Sequence, residues 1–119
     1  LDGDAAAIMH MGAMTTISKL ELPNFIHIVL NNGVHESVGG QPSAGQLINF
    51  TEIADGCGYY TVGHEVENDE QLREAVKQCM ECRKASFIDV RIHSGIRSDL
   101  HSIAMSSHEM IEIFKKELR

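Results

Sequence analysis

Phe25-Ile26-His27-Ile28-Val29-Leu30, followed at once by Asn31-Asn32-Gly33, decides the fold. The first six residues are almost continuously apolar, which suits a strand covered on both faces, as in a parallel sheet. Ahead of them, residues 6–20 (AAIMHMGAMTTISKL) read as one helix, with Ile8, Met11, Thr15 and Leu20 near one face. Gly12 costs helix propensity, so it is expected to serve close approach to a neighbour. Pro23-Asn24 closes the connection into the strand. A strand–helix–strand order implies a right-handed crossover, which brings residue 3 and residue 31 to one edge of one sheet.

The same alternation continues downstream. Residues 33–48 are rich in Gly and Ser and contain Pro42, so they read as a long and potentially functional loop. Asn49 with Glu52 matches a capping pattern and predicts a short helix over 50–57. Tyr59-Tyr60-Thr61-Val62 reads as a short strand. Asn68 with Gln71 opens the clearest helix, where Leu72, Ala75, Val76, Cys79 and Met80 follow an i, i+3, i+4, i+7, i+8 pattern. Residues 86–92 (SFIDVRI) form a further strand, and Ser106 with Glu109 caps a last helix carrying Met110, Ile111, Phe114 and Leu118. The expected class is α/β, a mostly parallel sheet flanked by helices on both faces.

At 119 residues the chain has the size of one domain, and its 43% hydrophobic and 23% charged content is ordinary for a globular one. Ten basic against 17 acidic residues give a formal net charge of −7, which disfavours nucleic acid. A small phosphorylated ligand is still possible, because backbone N–H groups and a metal can hold one without a basic patch. Cys57, Cys79 and Cys82 are too few for a disulfide framework, so a reducing cytoplasm is the simplest compartment. No apolar run is long enough to cross a bilayer. The chain starts at Leu1 rather than Met, which leaves room for a preceding segment.

Gly3-Asp4-Ala5 and Asn31-Asn32 would then lie together at the carboxyl ends of two strands, where ligands bind in open α/β sheets. Asp4 supplies a negative oxygen and Asn32 a neutral one. Magnesium takes few such protein ligands and completes its shell with phosphate oxygens and water. The helix beginning near Ala5 aims free N–H groups at a diphosphate, and Ala5 and Ala6 let it come close. Taken singly, Gly-Asp and Asn-Asn-Gly are also ordinary turn signals.

In this order, with 25 residues between Ala5 and Asn31, the pair resembles the diphosphate-binding motif of the thiamine diphosphate-dependent enzymes, usually written Gly-Asp-Gly, a spacer, then Asn-Asn. The resemblance implies that Asp4, the Asn32 side chain and the Val34 carbonyl bind Mg²⁺. It also implies that Gly3, Asp4, Ala5, Ala6, Asn32, Val34, His35 and Ser37 contact the cofactor. Ala5 stands where the last glycine is usual, and the metal-binding Asp is kept. Leu1 to Gly12 and Asn31 to Pro42 are similar to the phosphonopyruvate decarboxylase branch of the 2-keto acid decarboxylases. The sulfopyruvate decarboxylase β subunits share the Asn-Asn-Gly, Gly and Gln-Pro frame but tend to differ where His35-Glu36 stand.

That likeness implies conversion of 3-phosphonopyruvate to phosphonoacetaldehyde and CO₂, a step toward aminoethylphosphonate-type compounds. His35 and Glu36 are then the candidate catalytic residues beside the substrate. Family members also need a glutamate from a pyrimidine-binding domain, on the same chain upstream or on a separate subunit, and usually a homo-oligomer. No part of this chain resembles that domain. The chain is therefore expected to be the diphosphate-binding domain of a longer enzyme, cut within its first strand and inactive alone. If the front motifs are plain turns instead, it is a non-catalytic α/β interaction domain.

Other residues carry plainer expectations. His10 and His27 read as surface or packing residues. Cys79 and Cys82 have a Cys-x-x-Cys spacing without a second ligand pair, and Cys79 falls on an apolar helix face, which favours core packing over zinc. Arg91, Arg97 and Asp99 follow the last strand and either meet a partner domain or are solvated.

Overall fold

A computed structural model describes residues 1–100 and 104–118. Four parallel strands form the central sheet: β1 (Asp2–Gly3), β2 (Ile26–Asn31), β5 (Tyr60–Thr61) and β6 (Ser86–Arg91), in the spatial order β1-β2-β6-β5. β2 and β6 are the central pair, in register from Ile26 opposite Ser86 to Asn31 opposite Arg91. Their near-continuous apolar character follows from that position. His27, Val29 and Asn31 point into one layer, while Ile26, Ile28 and Leu30 pack against the other.

Helices cover both faces, as the alternation predicts. On one face α1 (Asp4–Met9), α2 (Ala13–Lys19) and α3 (Phe50–Gly56) bury Ala7, Met14, Phe50 and Ala54 with Val29, Tyr59, Ala85 and Phe87. On the other, α4 (Asp69–Cys82) packs Ala75 and Cys79 against Val66, Ile88 and Val90. The Asn49 side chain caps α3 by accepting from the Glu52 N–H at 3.1 Å. Asn68 caps α4 by accepting from Gln71 N–H at 2.9 Å, and the Gln71 side chain accepts from Glu67 N–H at 2.8 Å.

Four sequence expectations need correction. The helix over 6–20 is two helices, α1 and α2, joined by a tight turn. There Ala13 N–H donates to His10 O at 2.9 Å and Met14 N–H to Met11 O at 3.1 Å. These i→i+3 bonds shift the helical register, so Met14 enters the core while Thr15 and Leu20 face solvent. Gly12 meets no close neighbour and sits at the start of α2, where its low helix propensity favours the break. The 33–48 loop contains a small antiparallel hairpin, β3 (Val34–His35) with β4 (Gln41–Pro42), around a single 3₁₀ turn over Glu36–Val38.

Met80 is 69% exposed, because the apolar stripe of α4 is narrower than its spacing suggests. The last helix, α5 (Ser107–Glu117), has the expected capping box, with Ser106 and Glu109 each bonding the other's backbone N–H. Its apolar residues Met110, Ile111 and Phe114, and Leu118 just beyond, are nevertheless exposed.

Candidate functional site

β1 ends at Gly3, whose register partner in β2 is Leu30, so Asp4 and Asn31 leave the sheet side by side. Gly3 is the N-cap of α1 and offers no side-chain cap, which leaves the first-turn N–H groups of Asp4, Ala5 and Ala6 without a side-chain partner. After Asn31 the chain turns back on itself. Asn32 Oδ1 accepts from the Val34 N–H at 3.1 Å, and Gly33 adopts a left-handed φ of 74° that a side chain would strain. The β3–β4 hairpin then rises beside the end of β1.

Between these segments lies a cavity of about 330 Å³. Gly3, Asp4, Ala5 and Ala6 form one wall, Asn32 and Val34 to Ser37 the other, and Met9, Leu30 and Ile92 add apolar surface. Every residue that the sequence assigned to cofactor, metal or catalysis thus lines one cavity, although those residues come from both ends of the stretch from Gly3 to Ser37. Its ionisable groups are Asp4, His35 and Glu36, with no Lys or Arg. A diphosphate could not enter such a wall unaided. The donor set of one carboxylate, one amide oxygen and one carbonyl suits a hard divalent cation, which would supply the missing positive charge. Small Ala5 and Ala6 leave space at the uncapped helix start, so the residues present fit a metal-bound diphosphate.

Glu36 is half-buried, and its Oε1 accepts from the Gly95 N–H, which ties the segment after β6 to the cavity mouth. Ile92 enters the wall through the same segment.

Beneath the cavity lies a polar cluster that the sequence reading missed. Asn31 is fully buried and donates from Nδ2 to the Gly45 carbonyl at 2.9 Å. Asp89, in the middle of β6, is 1% exposed, and neither carboxylate oxygen has a hydrogen-bond partner. Arg91 Nη2 lies 3.9 Å from Asp89 Oδ2 and pairs closely with Glu65 Oε1. Burial pushes the Asp89 carboxyl up, against the opposing pull of the Arg91 charge. The Arg91 hydrogen bond holds Glu65 below the usual carboxylate range. A lone Asp inside the apolar run SFIDVRI was the available signal, since a buried charge needs a reason. Arg91 is accordingly the last residue of β6 and half-buried, not a solvated tail residue. Arg97 and Asp99 are exposed and pair with each other, Nε to Oδ1 at 3.0 Å.

A pH dependence follows from Asp89. Its folded pKa is raised, so its contribution to stability is complete below the unfolded carboxylate range and falls as pH rises through the folded value. Asp89→Asn is therefore expected to raise the unfolding midpoint of cofactor-free protein at neutral pH. The gain should shrink as pH falls into the acidic range, because the raised wild-type carboxyl then takes up a proton and sheds the cost of its buried charge. Thermal unfolding across a pH series measures it, and a gain that grows on acidification would reverse the sign.

The plain readings of the other candidates agree with the geometry. Cys79 is buried in the core, and Cys82 Sγ lies 3.2 Å from both Cys79 O and Ser86 Oγ. Among the described residues no group of three or more His, Cys, Asp or Glu side chains is arranged to hold a metal. His10 is exposed. His27 packs edge-on against Phe87, with ring centroids 5.2 Å apart, and its Nε2 meets Asp2 Oδ2 at 2.8 Å. Among the described residues no helix is long and apolar enough to cross a membrane.

Residues 1–90 match the family of the thiamine pyrophosphate enzymes, C-terminal TPP binding domain. The chain belongs to this family. A phosphonopyruvate decarboxylase of Streptomyces hygroscopicus is 28% identical over 98% of the chain, which corresponds to 29% of that protein. A sulfopyruvate decarboxylase of Methanosarcina acetivorans is 31% identical over 98% of the chain and 30% of its own length. The sulfopyruvate decarboxylase subunit beta of Methanococcus maripaludis is 34% identical over 65% of the chain and 40% of its length. The chain thus spans roughly three-tenths of the two longer relatives. The family model describes a thiamine pyrophosphate binding domain, and its match includes the ends of β1 and β2.

Proposed function

We propose that this chain is the diphosphate-binding domain of a decarboxylase that converts 3-phosphonopyruvate to phosphonoacetaldehyde and CO₂. The single observation that carries the reading is the one cavity in which Asp4, Asn32 and Val34 meet His35 and Glu36. Asp4, the Asn32 amide oxygen and the Val34 carbonyl would hold Mg²⁺. The N–H groups of Ala5 and Ala6 would donate to diphosphate oxygens. When bound, thiamine diphosphate supplies the electron sink for loss of CO₂ from a 2-keto acid.

The chain's own residues shape what surrounds that chemistry. Met9, Leu30 and Ile92 give one side of the cavity an apolar surface. His35 stands on the hairpin at the opening, where its ring N–H can donate to an anionic substituent. Glu36 is turned by the Gly95 N–H, which fixes where its carboxylate faces the opening. A pyrimidine-binding domain, on the same polypeptide or on another subunit of an oligomer, completes the site and provides its glutamate, so this chain alone turns over nothing.

A second reading changes only the substrate. Sulfopyruvate carries a tetrahedral anion in the same place, and the sulfopyruvate decarboxylase of Methanosarcina acetivorans is slightly more similar over the same share of the chain. Thiamine diphosphate binding to the complete enzyme is measured by calorimetry with Mg²⁺ and with chelator, and turnover is then compared for the two keto acids. Magnesium-dependent binding with higher kcat/KM for phosphonopyruvate is expected. Preference for sulfopyruvate passes the function to the second reading, and equal affinity with and without metal removes both.

A further inference from the structure

The loop after the hairpin reaches back over the proposed metal ligand. Ser43 N–H donates to Gly33 O at 2.8 Å, which seats the segment against the turn after Asn32. The Ser43 hydroxyl then contacts Asp4 Oδ2, although 39 residues separate the two in sequence. The direction of that bond is decided locally. Gly45 N–H donates to Ser43 Oγ at 3.1 Å, so the oxygen's acceptor side is engaged and its hydrogen is left for the carboxylate.

Gly45 is itself gripped from two sides. Its carbonyl accepts from Asn31 Nδ2 at 2.9 Å and from Arg91 Nη1 at 3.4 Å. Arg91 is braced in turn by Glu65. A side chain at position 45 has no room, because an added Cβ would lie 2.7 Å from Asp4 Cβ and 2.8 Å from Asn31 Oδ1. Glycine here lets the backbone lie directly on the Asp4 carboxylate. Asp4 Oδ1 takes no part in the serine contact.

We propose that Ser43 is a positioning residue for Asp4. Its hydroxyl holds Oδ2 and so presents Oδ1 to the cation, while Asn31 and Arg91 keep Ser43 in place through the Gly45 carbonyl. The inference takes the metal role of Asp4 from the proposed function and adds the group that orients it. Hydrogen-bond partners of ligating carboxylates fix ligand orientation, and their loss costs about 10- to 100-fold in metal affinity.

Mn²⁺ binding to the complete enzyme with thiamine diphosphate present, read by electron paramagnetic resonance, tests it. Ser43→Ala is expected to weaken Mn²⁺ by about 10-fold or more. Ser43→Thr keeps the hydroxyl and is expected to restore most of the affinity, which a merely structural role would not require. Thermal unfolding of the metal-free variants reports folding separately. Mn²⁺ affinity within about 2-fold of wild type in Ser43→Ala, or a threonine variant as weak as the alanine one, overturns the proposal on the scale that such partners set. Asp4→Asn is measured alongside. If it too leaves Mn²⁺ affinity unchanged, the metal reading itself fails; if it alone weakens binding, only the role of Ser43 does.

Discussion

Asp4→Ala in the complete enzyme is expected to lower Mg²⁺-dependent affinity for thiamine diphosphate by about 100-fold or more, beyond what loss of a ligand's hydrogen-bond partner alone brings. Asp4 is the one charged member of the proposed ligand set, since Asn32 and Val34 offer neutral oxygens. It is 1% exposed, so its orientation is set by the fold before any ligand arrives. Hard divalent cations depend on such anionic oxygen donors. The informative quantity is the ratio of affinities with and without metal. The cavity holds Asp4 and Glu36, with His35 and no Lys or Arg, so its two carboxylates oppose a bare diphosphate in the wild type. Removing Asp4 relieves part of that repulsion while it destroys the metal site, and the ratio should collapse toward one. Asp2→Ala is the control, because Asp2 is exposed and pairs with His27 rather than with the cavity. A metal-dependent ratio unchanged in Asp4→Ala would sink the assignment.

Phe87→Ala is expected to destabilise the domain by about 3–5 kcal/mol, the range for a large aromatic removed from a closed core. Phe87 is 1% exposed on the central strand β6. Its ring centroid lies 5.2 Å from that of His27, 6.2 Å from Tyr59 and 6.3 Å from Phe50, which joins β2, the residue just before β5 and α3 through one side chain. No neighbour can close the space without pulling a strand or helix from its place. Stabilities of small domains are only about 5–15 kcal/mol, so the variant loses a large share of its margin. Met80→Ala is the contrast. That residue also falls on a sequence-predicted apolar face but is 69% exposed, and the expected change stays within about 0.5 kcal/mol. Urea unfolding of both variants measures the difference, and comparable midpoints would show that the core does not centre on Phe87.

Much of the layout was legible in the chain because it follows from local rules. Side-chain amides and hydroxyls at Asn49, Asn68 and Ser106 cap helices at the expected positions, since a cap needs only a backbone N–H two or three residues on. The α1–α2 break was not legible. Its apolar residues keep a helical period on both sides of Gly12, and the tight turn changes which of them faces the sheet. The exposed stripe of α5 makes the same point from the other direction. Amphipathic spacing records that a face is apolar and is silent about what it meets.

The candidate site divides along the same line. Gly3, Asp4, Ala5 and Asn32 stood out as candidates because two short segments, each at a strand end, carry residue types that one ligand chemistry explains, whereas Val34 entered only through the family resemblance. The parallel pairing of β1 and β2 alone then brings them together. Asn31, Ser43, Gly45, Glu65, Asp89 and Arg91 have no such local signature. Their contacts join the end of β2, the loop after the hairpin, the stretch before α4 and the end of β6, so sequence spacing carries no trace of them. The sequence by itself determined the alternating α/β order, the capped helices and the pair of strand-end motifs, because each depends on groups a few residues apart. Only the tertiary structure decided that Asn31 is buried beneath the cavity, that Arg91 is braced by Glu65 and that Ser43 lies on Asp4. Those contacts exist because strands distant in sequence end at one edge of one sheet.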